Sequence, residues 1–166
     1  MRAWSNEVRY GLILSAASFL WVCLEYAIGL HDRHLALHPV VTNLFAVIPI
    51  GVLVRVLMLR RARDGGALTW RRGIASGMLV SAITAVFGAP SMWLFFRYVN
   101  PGYFSTMIAE AVRTGHDRAA AEGYFNLANY ALSASVMPLV MGLITTLAIT
   151  AVLKRRRAFS LAPHGA

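Results

Sequence analysis

Apolar residues in this chain fall into four long blocks separated by polar gaps, and that pattern predicts the architecture. A helix that crosses a bilayer needs roughly 20 mainly apolar residues. Four stretches qualify, at about residues 8–30, 39–59, 73–96 and 131–153. The gap between the second and third is short and basic, and its Asp64-Gly65-Gly66 is a turn signal that joins those spans as an antiparallel pair. The gap over residues 97–130 is long enough to hold structure of its own. Asn100 followed by Pro101 reads as a helix cap and first helical residue, and Tyr103, Phe104, Met107, Ile108, Ala111 and Val112 recur with helical spacing. Thr114-Gly115 ends that helix. Asp117 can cap a second one, in which Arg118 and Glu122 stand four apart and Tyr124, Phe125, Leu127 and Ala128 lead into the fourth span. The expected fold class is therefore an all-α integral membrane protein, a single domain over residues 1–166. It has four transmembrane helices, with two short amphipathic helices between spans three and four that lie on the interface or fold over the mouth of the bundle.

Composition agrees with a lipid solvent: 58% of the residues are hydrophobic and only 14% charged, against about a quarter charged in soluble domains. The formal charge of +9 does not imply a nucleic-acid partner, because the basic residues flank apolar runs instead of clustering on one face. They set orientation. With the N-terminus inside, Arg2, Arg9, Arg55, Arg60, Arg61, Arg63, Arg71, Arg72, Lys154, Arg155, Arg156 and Arg157 are cytoplasmic, and only Arg33, Arg97, Arg113 and Arg118 lie outside. Twelve against four predicts a multi-pass membrane protein with both termini cytoplasmic and residues 97–130 extracytoplasmic. Such a bias also argues against a chain that inserts in both orientations. Cys23 is the lone cysteine, inside an apolar run, so no disulfide framework exists. No small-residue cleavage site follows the first block, which reads as a span and not as a secretion signal.

Several short motifs recur in one known family. They are Tyr10-Gly11-Leu12-Ile13 opening the first span, Arg71-Arg72-Gly73 with Gly77 opening the third, Tyr98-Val99-Asn100-Pro101 beginning the intervening helix, and Gly142 before the basic end at Lys154. Together they resemble the bacterial membrane family catalogued as domain of unknown function number 4199. The resemblance implies four spans and an inner-membrane address, and it brings no activity or catalytic residue with it.

Glu25 is the one carboxylate inside a predicted span. A charge at a helix centre costs about 2.5 to 3.5 kcal/mol on insertion scales, so it faces protein or water and has a partner. Gly11, Ser15, Ser18, Val22, Glu25 and Gly29 follow alternating four- and three-residue steps, a small-residue stripe of the kind along which membrane helices meet. Arg97 is the first-choice partner. Arg33, His31, Asn43 and Thr42 are the others within reach. His31, His34, His116 and Asp117 are the residues through which a metal would bind, but their spacing matches no established motif, and neither metal nor cofactor is assigned. His38 joins the same side. Pro49, Pro90 and Pro138 kink three spans, and Gly73, Gly77, Ser81, Thr84 and Gly88 give the third span a small face for close packing, within the subunit or with another copy.

No serine in the spans has a basic partner in register, and no phosphate-binding glycine loop appears, so the expectation is a protein that is not an enzyme. The expected role is an accessory or assembly subunit. Its environment is the lipid bilayer, and its small-residue faces suit itself or another membrane protein. The alternative is a small channel or carrier using Glu25 at an extracytoplasmic cavity.

Overall fold

The computed structural model describes residues 4–160, with side chains described through Lys154; Arg2 and the side chains of Arg155, Arg156 and Arg157, counted above for orientation, lie outside that set. The first apolar block folds as α1, Ser5–Ala27, and stops where Gly29 takes a positive φ of 79° that side-chain-bearing residues avoid. The second block is divided. A 3-10 turn at Leu35–Leu37 leads into α2, His38–Leu44, with Pro39 in its first turn, and after Phe45-Ala46 the chain resumes as α3, Val47–Arg63. Pro49 has no N–H to offer the Phe45 carbonyl four residues back, which is where the helix breaks. The other two prolines are absorbed without interruption in α4, Trp70–Leu94, and α7, Leu127–Ser160. Thr69 caps α4 by accepting from the Arg72 amide.

Four helical stretches are long and apolar enough to cross a membrane: Ser5–Ala27, Leu35–Arg63, Trp70–Val99 and Leu127–Lys154. Each expected span is present, with its bounds moved by a few residues. Between the third and fourth lie α5, Tyr103–Arg113, and α6, Arg118–Tyr124. The Asp117 side chain caps α6 by accepting from Ala120 at 2.9 Å, and Arg118 reaches Glu122 at 3.4 Å, as the spacing predicts. The beginning of α5 differs from expectation. After α4 the backbone widens into a π-helical turn, Phe95–Val99, Asn100 is buried, and the helix starts two residues beyond Pro101. The turn aims both Phe95 and Phe96 into the protein, and this burial decides its geometry.

α4 is the centre of the bundle, packing on α1, α3 and α7. Its closest partner is α7, and glycines set the distance. Side chains at Gly73, Gly77 and Gly88 would collide with Thr150, Thr146 and the Ala134 backbone, and one at Gly142 of α7 would meet Ser81. The Ala134 carbonyl, which Pro138 cannot engage, is thus pressed against the bare backbone of Gly88. The predicted small face of the third span is an intrachain seam. Gly11 does the same for α1, lying against Ile83 of α4. Van der Waals contact at such short range drives association where lipid removes the hydrophobic difference between partners.

Candidate functional site

Polar groups are buried at both ends of α1. At one end Glu7, 1% exposed, accepts from Ser76 of α4 at 2.7 Å and lies 3.1 Å from the guanidinium of Arg60 in α3, which also stacks over Trp4 at 3.9 Å. The triad ties three helices together. The small stripe that starts at Gly11 does not show it; one step of four residues back along the same face reaches Glu7. Arg60, an orienting charge by its position in the sequence, is also a buried member of this triad.

At the other end Glu25 is 4% exposed. One carboxylate oxygen accepts from the Trp21 indole at 2.7 Å and from the Thr42 hydroxyl at 2.6 Å. The second oxygen faces Nε2 of His31 at 3.6 Å and Nε2 of His38 at 3.9 Å. Gly29 makes this convergence possible, because its left-handed backbone turns the chain straight back over the end of α1 and delivers His31 there. His38 arrives on the first residue of α2. His31 is walled by rings, with Phe95 at 5.6 Å and Tyr103 at 5.1 Å between centroids. Tyr103 extends the cluster to the last span through a 3.0 Å contact between its hydroxyl and that of Tyr130, and burial beside Tyr130 pushes the Tyr103 phenol well above its usual range. Tyr103 and Phe104 thereby fold α5 over this end of the bundle.

The sequence-derived residues separate into two groups. Glu25, His31 and Thr42 come together. Arg97, the first-choice partner, points outward beside Tyr98 because the π-helical turn spends its inward positions on Phe95 and Phe96. Asn43 donates to the Pro39 carbonyl in its own helix. His34 is exposed, His116 lies against the Ala111 carbonyl at the end of α5, and Asp117 is occupied as a cap. His38, which sequence reasoning placed on this side without giving it a role, is the residue that joins Glu25 and His31.

Thr42 also borders a cavity of about 400 Å³ enclosed by α1, α3, α4 and α7. Phe45, Pro49 and Leu53 form one wall, and Ala134, Met137 and Pro138 the other. Ile50, Phe87, Met137 and Met141 are exposed at its rim, so it opens sideways on the face that meets lipid. Four of its hydroxyls are engaged within their own helices: Ser15, Ser18, Ser81 and Thr84 each donate to a carbonyl four residues back. The result is an apolar lateral groove with one polar end, at Thr42. Pro49 and Pro138 line it, whereas Pro90 is exposed elsewhere.

Residues 9–155 match the family described as protein of unknown function DUF4199. No curated protein and no solved structure matches the chain.

Proposed function

The chain belongs to the DUF4199 family, and from that premise we propose a non-enzymatic accessory or assembly subunit of the bacterial inner membrane, which receives an apolar transmembrane segment of a partner in its lateral groove. The observation that carries this reading is the groove itself: about 400 Å³, apolar along its length, and open toward lipid between α3 and α7. A mainly apolar slot in which Ser15, Ser18, Ser81 and Thr84 are already bonded within their own helices suits packing by another helix, since little polar surface must be desolvated to fill it. The positive-inside count supports cytoplasmic termini, which puts the Glu25 end on the extracytoplasmic side.

Ala46 is exposed and lines the groove, so Ala46→Trp fills it without disturbing the α4–α7 seam. In mild detergent the wild type is expected to co-purify with its partner in fixed ratio, and this variant to elute alone. Leu20→Trp, on an exposed part of α1 outside the groove, should behave as wild type. A complex retained by Ala46→Trp would sink the proposal.

A second reading, a small carrier, draws on one observation: Thr42 both borders the groove and donates to Glu25, so the groove's polar end is one hydrogen bond away from a buried carboxylate. Flux in reconstituted vesicles that is lost on Glu25→Gln would favour it. Vesicles as tight as empty liposomes would remove it.

A further inference from the structure

We propose that Glu25, His31 and His38 form a binding site for a divalent transition-metal ion of the zinc class. Three potential ligand atoms, one carboxylate oxygen and two imidazole nitrogens, lie within 4.8 Å of one another. The carboxylate-to-nitrogen separations of 3.6 and 3.9 Å exceed a hydrogen bond. They approach the roughly 3.3–3.4 Å between two ligands that each sit about 2.0–2.1 Å from a tetrahedral zinc ion. Small side-chain rotations close the difference.

Three further observations favour an ion over a simple hydrogen-bonded pair. The other Glu25 oxygen is saturated by Trp21 and Thr42, which fixes the carboxylate so that its free oxygen faces the histidines; orienting a ligand through outer hydrogen bonds is how proteins prepare metal sites. The His31 ring is 3% exposed and held by the aromatic rings of Tyr26, Phe95 and Tyr103. Its Nδ1 is buried with no hydrogen-bond partner among the described residues, and its Nε2 has Glu25 only at 3.6 Å, so the ring is rigidly placed yet poorly satisfied by protein alone. A metal bound through Nε2 gives that nitrogen the close partner that Glu25 at 3.6 Å does not. Two imidazoles and one carboxylate select zinc and its neighbours over magnesium or calcium, which prefer oxygen cages, and over copper(I), which prefers sulfur. Bound there, the ion fastens the end of α1 to the start of α2 beside the polar end of the groove. This site stands whichever partner the groove receives.

The test uses the full-length chain, purified without a polyhistidine tag, stripped with a chelator and titrated with zinc against a chromophoric competitor. One saturable equivalent is expected, together with a rise in unfolding temperature. His38→Gln, at a half-buried position that tolerates an amide, should weaken binding by about ten-fold or more while unfolding like the stripped wild type. His34→Ala with His116→Ala should leave it unchanged. Cobalt substitution of the wild type alone gives a second readout, intense visible bands from a low-coordinate nitrogen-and-oxygen site. Absence of saturable zinc binding by the stripped wild type, or undiminished binding by His31→Ala with His38→Ala, overturns the proposal.

Discussion

Glu7 and Glu25 stand 18 residues apart on α1, about 27 Å at 1.5 Å per residue, so each lies near one boundary of a hydrocarbon layer roughly 30 Å thick. Their environments predict different responses to mutation. Glu7 faces a buried guanidinium, and breaking a buried ion pair from one side typically costs about 3–5 kcal/mol. Glu7→Gln should therefore unfold at markedly lower temperature in detergent, and Glu7→Leu combined with Arg60→Met should recover much of the loss. Equal unfolding temperatures for single and double variants would show that the pair carries no such energy. Glu25 is different, because its hydrogen bonds come from neutral donors. Glu25→Gln retains an acceptor for Trp21 and Thr42 and should keep the stability of the metal-free protein, whereas Glu25→Ala orphans both donors at about 1–3 kcal/mol. Thermal unfolding of the stripped proteins separates the two.

At the scale of elements, the seam between α4 and α7 is the part of the fold most exposed to single substitutions. Gly77→Leu drives a branched side chain into Thr146, and Gly88→Leu drives one into the backbone of α7. Both should abolish a monodisperse peak in size-exclusion chromatography, whereas Gly51→Ala, with nothing within 4 Å, should be neutral or gain up to about 1 kcal/mol. Loss of folding in Gly51→Ala, or tolerance of Gly77→Leu, would contradict the packing described. The elements were largely legible in the sequence because periodicity and small-residue spacing are local properties. The four spans, the Asp117 cap and the small face of the third span follow from neighbours a few residues apart. The π-helical turn did not follow, since only the burial of Phe95 and Phe96 against distant residues fixes it. The site was half legible for the same reason: Glu25 announces itself as a charge in an apolar run, but the choice of His38 over Arg97 depends on how the chain folds back at Gly29 and rotates at Phe95.

The whole molecule has two unlike ends joined by an apolar middle. One end carries the Glu7–Arg60–Ser76 lock and the turn held by Arg72 and Asp64 at 2.8 Å. The other carries Glu25, His31 and His38 beneath α5. If both termini are cytoplasmic, a cysteine placed at His116 in a Cys23→Ser background should react with an impermeant maleimide in intact cells, and one placed at Gly65 should react only after lysis. The reverse pattern would invert the orientation. Site-specific photocrosslinking in living cells reports whether the groove between α3 and α7 receives a partner helix. A photoreactive residue at Met137, on the groove rim, is expected to give one discrete adduct of defined mass, abolished by Ala46→Trp and absent when the probe sits at Leu20. Crosslinking at Met137 to lipid alone, or adducts of the same kind from Leu20, would contradict the account.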